Sequence, residues 1–146
     1  MQNITEILEH NAKTWPDDVA LVEINPQELE SRHTTWREYS LIESSPVEAF
    51  RSEMTWREFN EKANRFANFL LSRGLKRGDK VAILLMNCIE WLPIYFGVLK
   101  AGCMAVPLNF RYTAEEIKYC IDLADADTLV FGPEFTGRVE QIADQI

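Results

Sequence analysis

The sequence predicts an α/β fold, a mostly parallel sheet flanked by helices, with a short antiparallel strand pair near the N-terminus. Three observations predict it. From residue 55 onward, helical and strand patterns alternate as helix, strand, helix, strand, helix, strand, helix, the order that right-handed crossovers turn into a parallel sheet covered on both faces. The stretch Lys80 to Met86 is apolar on both faces, as a strand buried between helical layers must be. No linker rich in Gly, Pro or Ser interrupts residues 55–146, so the alternation reads as one structural unit.

The elements follow in order. Ile4, Ile7 and Leu8 recur at helical spacing within Asn3 to Thr14 and predict a short amphipathic helix. Trp15-Pro16-Asp17-Asp18 stops it, because the residue before proline avoids helical geometry. Val19 to Ile24 reads as a strand ended by Asn25-Pro26, and Ala49 to Met54 as its pairing partner. Between them, residues 26–50 are polar and without sustained period. They read as a long excursion with a helical turn around Thr35 to Tyr39.

Thr-Trp-Arg-Glu occurs at 35–38 and at 55–58. Each is a capping box, in which hydroxyl and carboxylate satisfy free N–H groups at a helix start. The second opens a helix of about 18 residues whose apolar face is Phe59, Ala63, Phe66, Ala67 and Leu70, and Gly74 ends it. Lys76-Arg77-Gly78-Asp79 is a polar turn before the strand at 80–86. Asn87 is the expected cap of the next helix, Glu90 to Ala101, where Pro93 is tolerated in the first turn. That helix is charged only at its ends and should be buried nearly all round, with Gly102 as its stop. Cys103 to Pro107 reads as a short buried strand. Thr113-Ala-Glu-Glu116 caps a helix with face Ile117, Cys120, Ile121 and Ala124. Thr128 to Phe131 reads as another buried strand, and Glu134 to Ile146 as the start of a last helix.

Composition removes several function classes. The chain has 146 residues, is 47% hydrophobic and carries 15 Lys+Arg against 23 Asp+Glu, a net charge of −8. That balance suits a globular core and opposes nucleic acid or an anionic membrane as partner. No apolar run approaches the roughly 20 residues that span a bilayer, and Glu6 and Glu9 sit where a signal peptide would be apolar. Cys88, Cys103 and Cys120 lie in apolar contexts without close pairing. They fit a reducing compartment and small buried side chains, and neither His10 nor His33 lies near them in sequence as a base.

Strand ends are where phosphate and metal motifs belong in such a fold. Gly132-Pro-Glu-Phe-Thr-Gly137-Arg138 has the glycine spacing of a phosphate loop but lacks its lysine. Pro133 removes an N–H and Glu134 would repel phosphate. Asp122, Asp125 and Asp127 could bind magnesium or accept a phosphoryl group; a solvated helix-to-strand turn is the favoured reading. Trp56 and Trp91 open apolar helices and read as core. Trp15 and Trp36 lie in polar stretches, where an indole could cover an interface.

Several strings resemble the adenylate-forming superfamily, which includes acyl-CoA synthetases, luciferases and peptide-synthetase adenylation domains. Residues 54–70 resemble its "TY-x-EL…NRLA…L" helix, and 73–87 its "GV-x-KGD-x-VAI-x-x-x-N" segment. Gly97 to Gly102 followed by 106–116 resembles "A-x-x-KAGA…VPLNPR-x-T-x-EEL", with Phe110 replacing the usual proline. Trp15 to Leu21 resembles the early "P-D-x-x-AL" entry. The Pro-Leu-Asn…Arg form leans towards acyl-CoA synthetases, with a fatty acid as favoured substrate.

The resemblance implies a ligase that joins a carboxylic acid to CoA through an acyl-adenylate, using ATP, CoA and Mg2+. It also implies that residues 1–146 are an N-terminal fragment of the large AMP-binding domain, with 1–54 holding the helix and strand pair and 55–146 the α/β layers. The family's phosphate loop, acidic motif and lysine do not occur here, so the fragment alone is expected to be inactive and to bind none of the three tightly. Arg138 resembles a Gly-Arg position that contacts the CoA nucleotide in some relatives; the alternative is an exposed arginine at a helix start. Asn109 and Arg111 resemble a family loop in which a structural role is expected. The implied partners are acid, ATP and CoA in a cytoplasmic enzyme, with no nucleic acid, no transmembrane segment and a homodimer left open. A stand-alone Rossmann-like binding or dimerisation module, or a different nucleotide-binding domain, are the competing readings.

Overall fold

The computed structural model describes residues 3–24 and 51–146. The expected excursion at 26–50, its capping box at 35–38, Trp36 and His33 lie outside the described residues.

Helix α1, Ile4–Thr14, is capped by Asn3, whose side chain accepts from the Thr5 and Glu6 amides while Glu6 reaches back to the Asn3 amide. Strands β1, Val19–Ile24, and β2, Arg51–Thr55, pair antiparallel from Val19 opposite Thr55 to Ile24 opposite Arg51. Helix α2, Trp56–Ser72, starts on the predicted capping box: the Thr55 amide donates to Glu58 at 2.8 Å and the Glu58 amide to Thr55 Oγ1 at 3.3 Å. The amides of Trp56 and Arg57 donate to the carbonyls of Asp18 and Pro16, so the turn before β1 supplies the remaining acceptors of this helix start.

Strand β3, Lys80–Leu84, is the centre of a parallel sheet. It pairs with β4, Met104–Pro107, on one side and β5, Thr128–Phe131, on the other. Helix α3, Trp91–Lys100, crosses from β3 to β4, and helix α4, Ala114–Ala124, crosses back over β3 to β5. Reversing direction with crossovers of one hand puts the two helices on opposite faces. The cores agree. Val81 and Ile83 pack with Ala67, Leu70 and Val98 of α2 and α3, while Ala82 and Leu84 pack with Ile117 and Ile121 of α4. Residues 81–84 of β3 are all 0% exposed. Val81, Ile83 and Leu84 each contribute about 1.5–3 kcal/mol by this burial. A third cluster of Leu8, Met54, Phe59 and Ala63 seats α1 and the strand pair against α2. None of the ten residues of α3 is exposed, as its charge-free middle predicts.

Four expectations are corrected by the structure. β4 and β5 are not buried strands. They flank β3, and Met104 and Phe131 are exposed, because strand order, which hydropathy does not encode, leaves them beside the centre. Asn87 does not cap α3. The helix start has no side-chain cap, and the Trp91 amide donates to the Cys88 carbonyl at 3.1 Å. No continuous helix runs from 134 to 146. The segment is a 3-10 turn at Pro133–Phe135, a short helix α5 at Thr136–Glu140 and a second 3-10 turn at Ala143–Gln145. Phe66, expected on the buried face of α2, is only half-buried. No described helix is long and apolar enough to cross a membrane.

Candidate functional site

Doubly wound sheets present their ligand-facing loops at the carboxyl ends of the strands. Here those loops are Leu85–Glu90 after β3, Leu108–Thr113 after β4, and the segment from Gly132 after β5. Their first residues extend the ladders: the Leu108 amide donates to the Ile83 carbonyl at 2.8 Å, and the Gly132 amide to the Leu84 carbonyl at 3.0 Å.

The glycine-spaced loop at 132–138 is not a phosphate cradle. The Gly132 amide is used by β3, Pro133 has no N–H, and the Phe135 amide donates to the Gly132 carbonyl at 2.9 Å. The Glu134 carboxylate folds back over Gly132, into the space a Cβ there would take. An acidic group over an amide-poor turn repels phosphate.

The aspartate cluster sits at the opposite end of the sheet, beside the start of β3. Asp127 Oδ2 accepts from the Lys80 amide at 2.8 Å, and Asp125 pairs with Lys80 Nζ at 3.3 Å. Asp122 pairs with Lys118 one turn earlier on α4. Asp125 and Asp127 tie the end of α4 to β3, in line with the solvated-turn reading. No group of three or more His, Cys, Asp or Glu side chains among the described residues could hold a metal ion.

The cysteines behave as apolar filler. Burial pushes the Cys88 thiol up to about 11, against the pull of the Glu90 and Trp91 amides, so it is protonated at neutral pH. Cys103 is buried, and its Sγ lies 3.5 Å from the Lys76 carbonyl. His10 lies edge-on to Trp15, with ring centroids 6.2 Å apart.

Asn109 has a structural role, as expected. Its Oδ1 accepts from the Arg111 amide and its carbonyl from the Tyr112 amide, both at 3.0 Å, which closes the loop after β4 into a turn. The Arg111 guanidinium lies over the Phe110 ring, 5.6 Å from its centroid. Arg138, on α5, reaches this same loop. Its Nη1 donates to the carbonyls of Phe110 at 2.7 Å and Tyr112 at 3.0 Å, and its guanidinium stands 5.3 Å from the Phe135 centroid. Arg138 is half-buried, not an exposed helix-start residue. Sequence reasoning missed these carbonyl partners, because backbone acceptors leave no residue signature.

A groove of about 320 Å³ lies between α2 and α3, floored by Phe66, Phe69, Pro93 and Ile94. Lys62 and Arg65 rim it, and Lys62 pairs with Glu90 at 3.8 Å.

Comparison with known proteins decides the family. The model of the AMP-binding enzyme family matches residues 8–145. The chain belongs to the AMP-binding enzyme family. Among relatives within it, the medium/long-chain-fatty-acid–CoA/3-oxocholest-4-en-26-oate–CoA ligase of Mycolicibacterium smegmatis is 31% identical over 140 residues, 96% of this chain and 21% of that protein. The crotonobetaine/carnitine–CoA ligase of Escherichia coli K12 is 36% identical over 86 residues, 59% of this chain and 17% of that protein. The N-terminal domain of FACL13 from Mycobacterium tuberculosis superposes with a TM-score of 0.76 at 26% identity, covering 99% of this chain and 30% of the solved one. The anthranilate CoA ligase AuaEII gives 0.75 at 26% identity, covering 98% and 23%. The chain therefore spans about a fifth of the length of the curated relatives it matches. Its α/β architecture is that of the N-terminal region of these AMP-binding enzymes.

Proposed function

We propose that this chain is the N-terminal part of an ATP-dependent ligase that joins a carboxylic acid, in our reading a fatty acid, to CoA. The observation that carries the reading is the 31% identity, over 96% of the chain, with a ligase named for medium- and long-chain fatty acids. In the reaction, a carboxylate oxygen attacks the α-phosphate of ATP and pyrophosphate leaves. The CoA sulfur then attacks the acyl carbon, its proton is lost, and AMP leaves with the electrons of the broken acyl–phosphate bond. Magnesium would accompany ATP and neutralise phosphate charge; no residue of this chain is assigned to it.

In this reading the chain contributes scaffold. Residues 1–54 and 55–146 belong to one N-terminal unit that is inactive alone, a reading supported by the Leu108 and Gly132 amides and the Asp122, Asp125 and Asp127 carboxylates all having internal partners. Arg138 is assigned the CoA nucleotide contact in this reading, supported by its position after β5 at the carboxyl end of the sheet. The three cysteines, all free thiols, support a cytoplasmic setting. The reading admits a homodimer, which sedimentation of the longer protein tests.

The deciding experiment supplies ATP, a fatty acid and CoA and follows pyrophosphate release. A longer protein containing this chain should release it only when the acid is present, and the 146-residue chain should release none. Turnover by the chain alone would overturn the inactivity, and acid-independent behaviour of the longer protein would overturn the ligase reading.

A further inference from the structure

Two loops that β3 keeps apart in the sheet are joined by one side chain. Arg138, on the segment after β5, sends both hydrogens of Nη1 to the turn after β4: the Phe110 carbonyl accepts at 2.7 Å and the Tyr112 carbonyl at 3.0 Å. These two carbonyls flank Arg111. The turn is closed from inside by Asn109, through the Arg111 and Tyr112 amides. Its closure from outside comes from a guanidinium set over the ring of Phe135, which is 2% exposed and cannot shift without opening the core. A charged donor on two neutral acceptors makes stronger bonds than an amide would.

We propose that Arg138 is a positioning residue, a latch that sets the conformation of the Asn109–Thr113 turn and the direction in which that turn carries Arg111 at the carboxyl end of the sheet. The coupling is reciprocal. The latch also holds α5, which spans only Thr136–Glu140 and is far below the length at which a helix is stable by itself. The latch goes beyond the ligase reading and does not depend on it, because the bonds form without any nucleotide.

The test is amide hydrogen exchange on the nucleotide-free chain for the wild type, Arg138→Met and Arg138→Lys. Methionine keeps an apolar stem over Phe135 and donates nothing. The Arg111 and Tyr112 amides should exchange about tenfold faster in Arg138→Met, with the β3 amides unchanged. Lysine is shorter but still a charged donor, so it should recover part of the protection. If Arg138→Met does not fold, Arg138→Lys against wild type carries the same comparison at smaller amplitude. Unchanged exchange at Arg111 and Tyr112, or a rise matched in β3, overturns the latch. Titration of CoA into the longer protein separates this from the ligase reading. Weaker CoA binding with an unchanged turn overturns the latch and leaves Arg138 as a direct contact. A loosened turn with unchanged CoA affinity supports the latch and removes that contact.

Discussion

Helices α2, α3 and α4 end in the same pair of hydrogen bonds, and the residue in the left-handed position differs. In α2 the amides of Gly74 and Leu75 return to Leu71 and Leu70. In α3 those of Gly102 and Cys103 return to Leu99 and Val98. In α4 those of Asp125 and Ala126 return to Asp122 and Ile121. Gly74 and Gly102 take φ of 92° and 78° without a Cβ to resist, whereas Asp125 takes 52° with one. Asp125→Gly should therefore raise stability by about 0.5–1 kcal/mol. The lost pairing with Lys80 offsets little, since the Asp125 side chain is 94% exposed. Asp125→Ala should lower stability, because alanine keeps the Cβ and loses the local polar compensation. Urea midpoints of the two variants check the order. Both glycine stops were legible in the sequence, because glycine after an apolar period has one common meaning. Asp125 was not, because aspartate in a polar stretch reads equally well as solvated turn, ligand or cap.

At the scale of elements, α2 and α3 approach each other closely at one position. A Cβ at Gly97 would lie 2.9 Å from the Ala63 carbonyl oxygen and from Phe66 Cβ, so the helices meet only because that position is bare. Gly97→Ala should destabilise by about 1–2 kcal/mol, overpacking outweighing the helix propensity gained. Gly137, within α5, has nothing within 4 Å of where a Cβ would stand, and Gly137→Ala should stabilise by about 0.5–1 kcal/mol. Thermal unfolding of the pair checks the opposite signs. The capping boxes at Thr55 and Thr113 were readable because hydroxyl and carboxylate three residues apart encode their own geometry. The exposure of β4 and β5 was not. Ala105, Val106, Leu129 and Val130 look equally apolar in a central or a flanking strand, and position across the sheet is set by which strand each crossover reaches. The broken final helix was missed for a related reason. Its apolar residues Phe135, Val139 and Ile142 follow the core beneath them, and Gly137 weakens the continuity between them.

For the molecule as a whole, acid should unfold the chain through a few carboxylates. Lys100, whose side chain is 7% exposed, meets Glu9 at 2.8 Å and holds that carboxyl below the usual range, through hydrogen bond and charge together. Hydrogen bonds from Thr55 and Thr113 lower Glu58 and Glu116 in the same sense. A carboxyl held low in the folded state contributes stability above its unfolded pKa and loses it as pH falls through the folded value. Glu23 has the opposite sign: burial raises it, so its contribution is present at low pH and lost as pH rises through its raised value. With three lowered and one raised among the described residues, the urea midpoint should fall as pH drops below about 4.5. Glu9→Gln should cost about 1 kcal/mol at pH 7, at the low end for a charge-assisted bond because Glu9 is half-exposed, and should flatten the acid slope. A midpoint that rises on acidification would reverse the assignment. The layered fold was legible at this scale because a strand as apolar as Val81 to Leu84 has few places to go. The strand-end chemistry was legible only in part. Arg138 was singled out, but its partners are main-chain carbonyls of a loop 26 and 28 residues away in sequence.

The antiparallel ladder has a consequence for the interval it brackets. Ile24 lies opposite Arg51, so two positions far apart in sequence are neighbours in the ladder. The ladder fixes positions 24 and 51 side by side, and the entropy of closing an interval between two such positions grows only with the logarithm of its length. A fourfold change in that length shifts the closure entropy by about 1.2 kcal/mol. Strands β1 and β2 therefore act as a clasp, at which chain can be inserted or removed while the parallel sheet and its two helical layers keep their register.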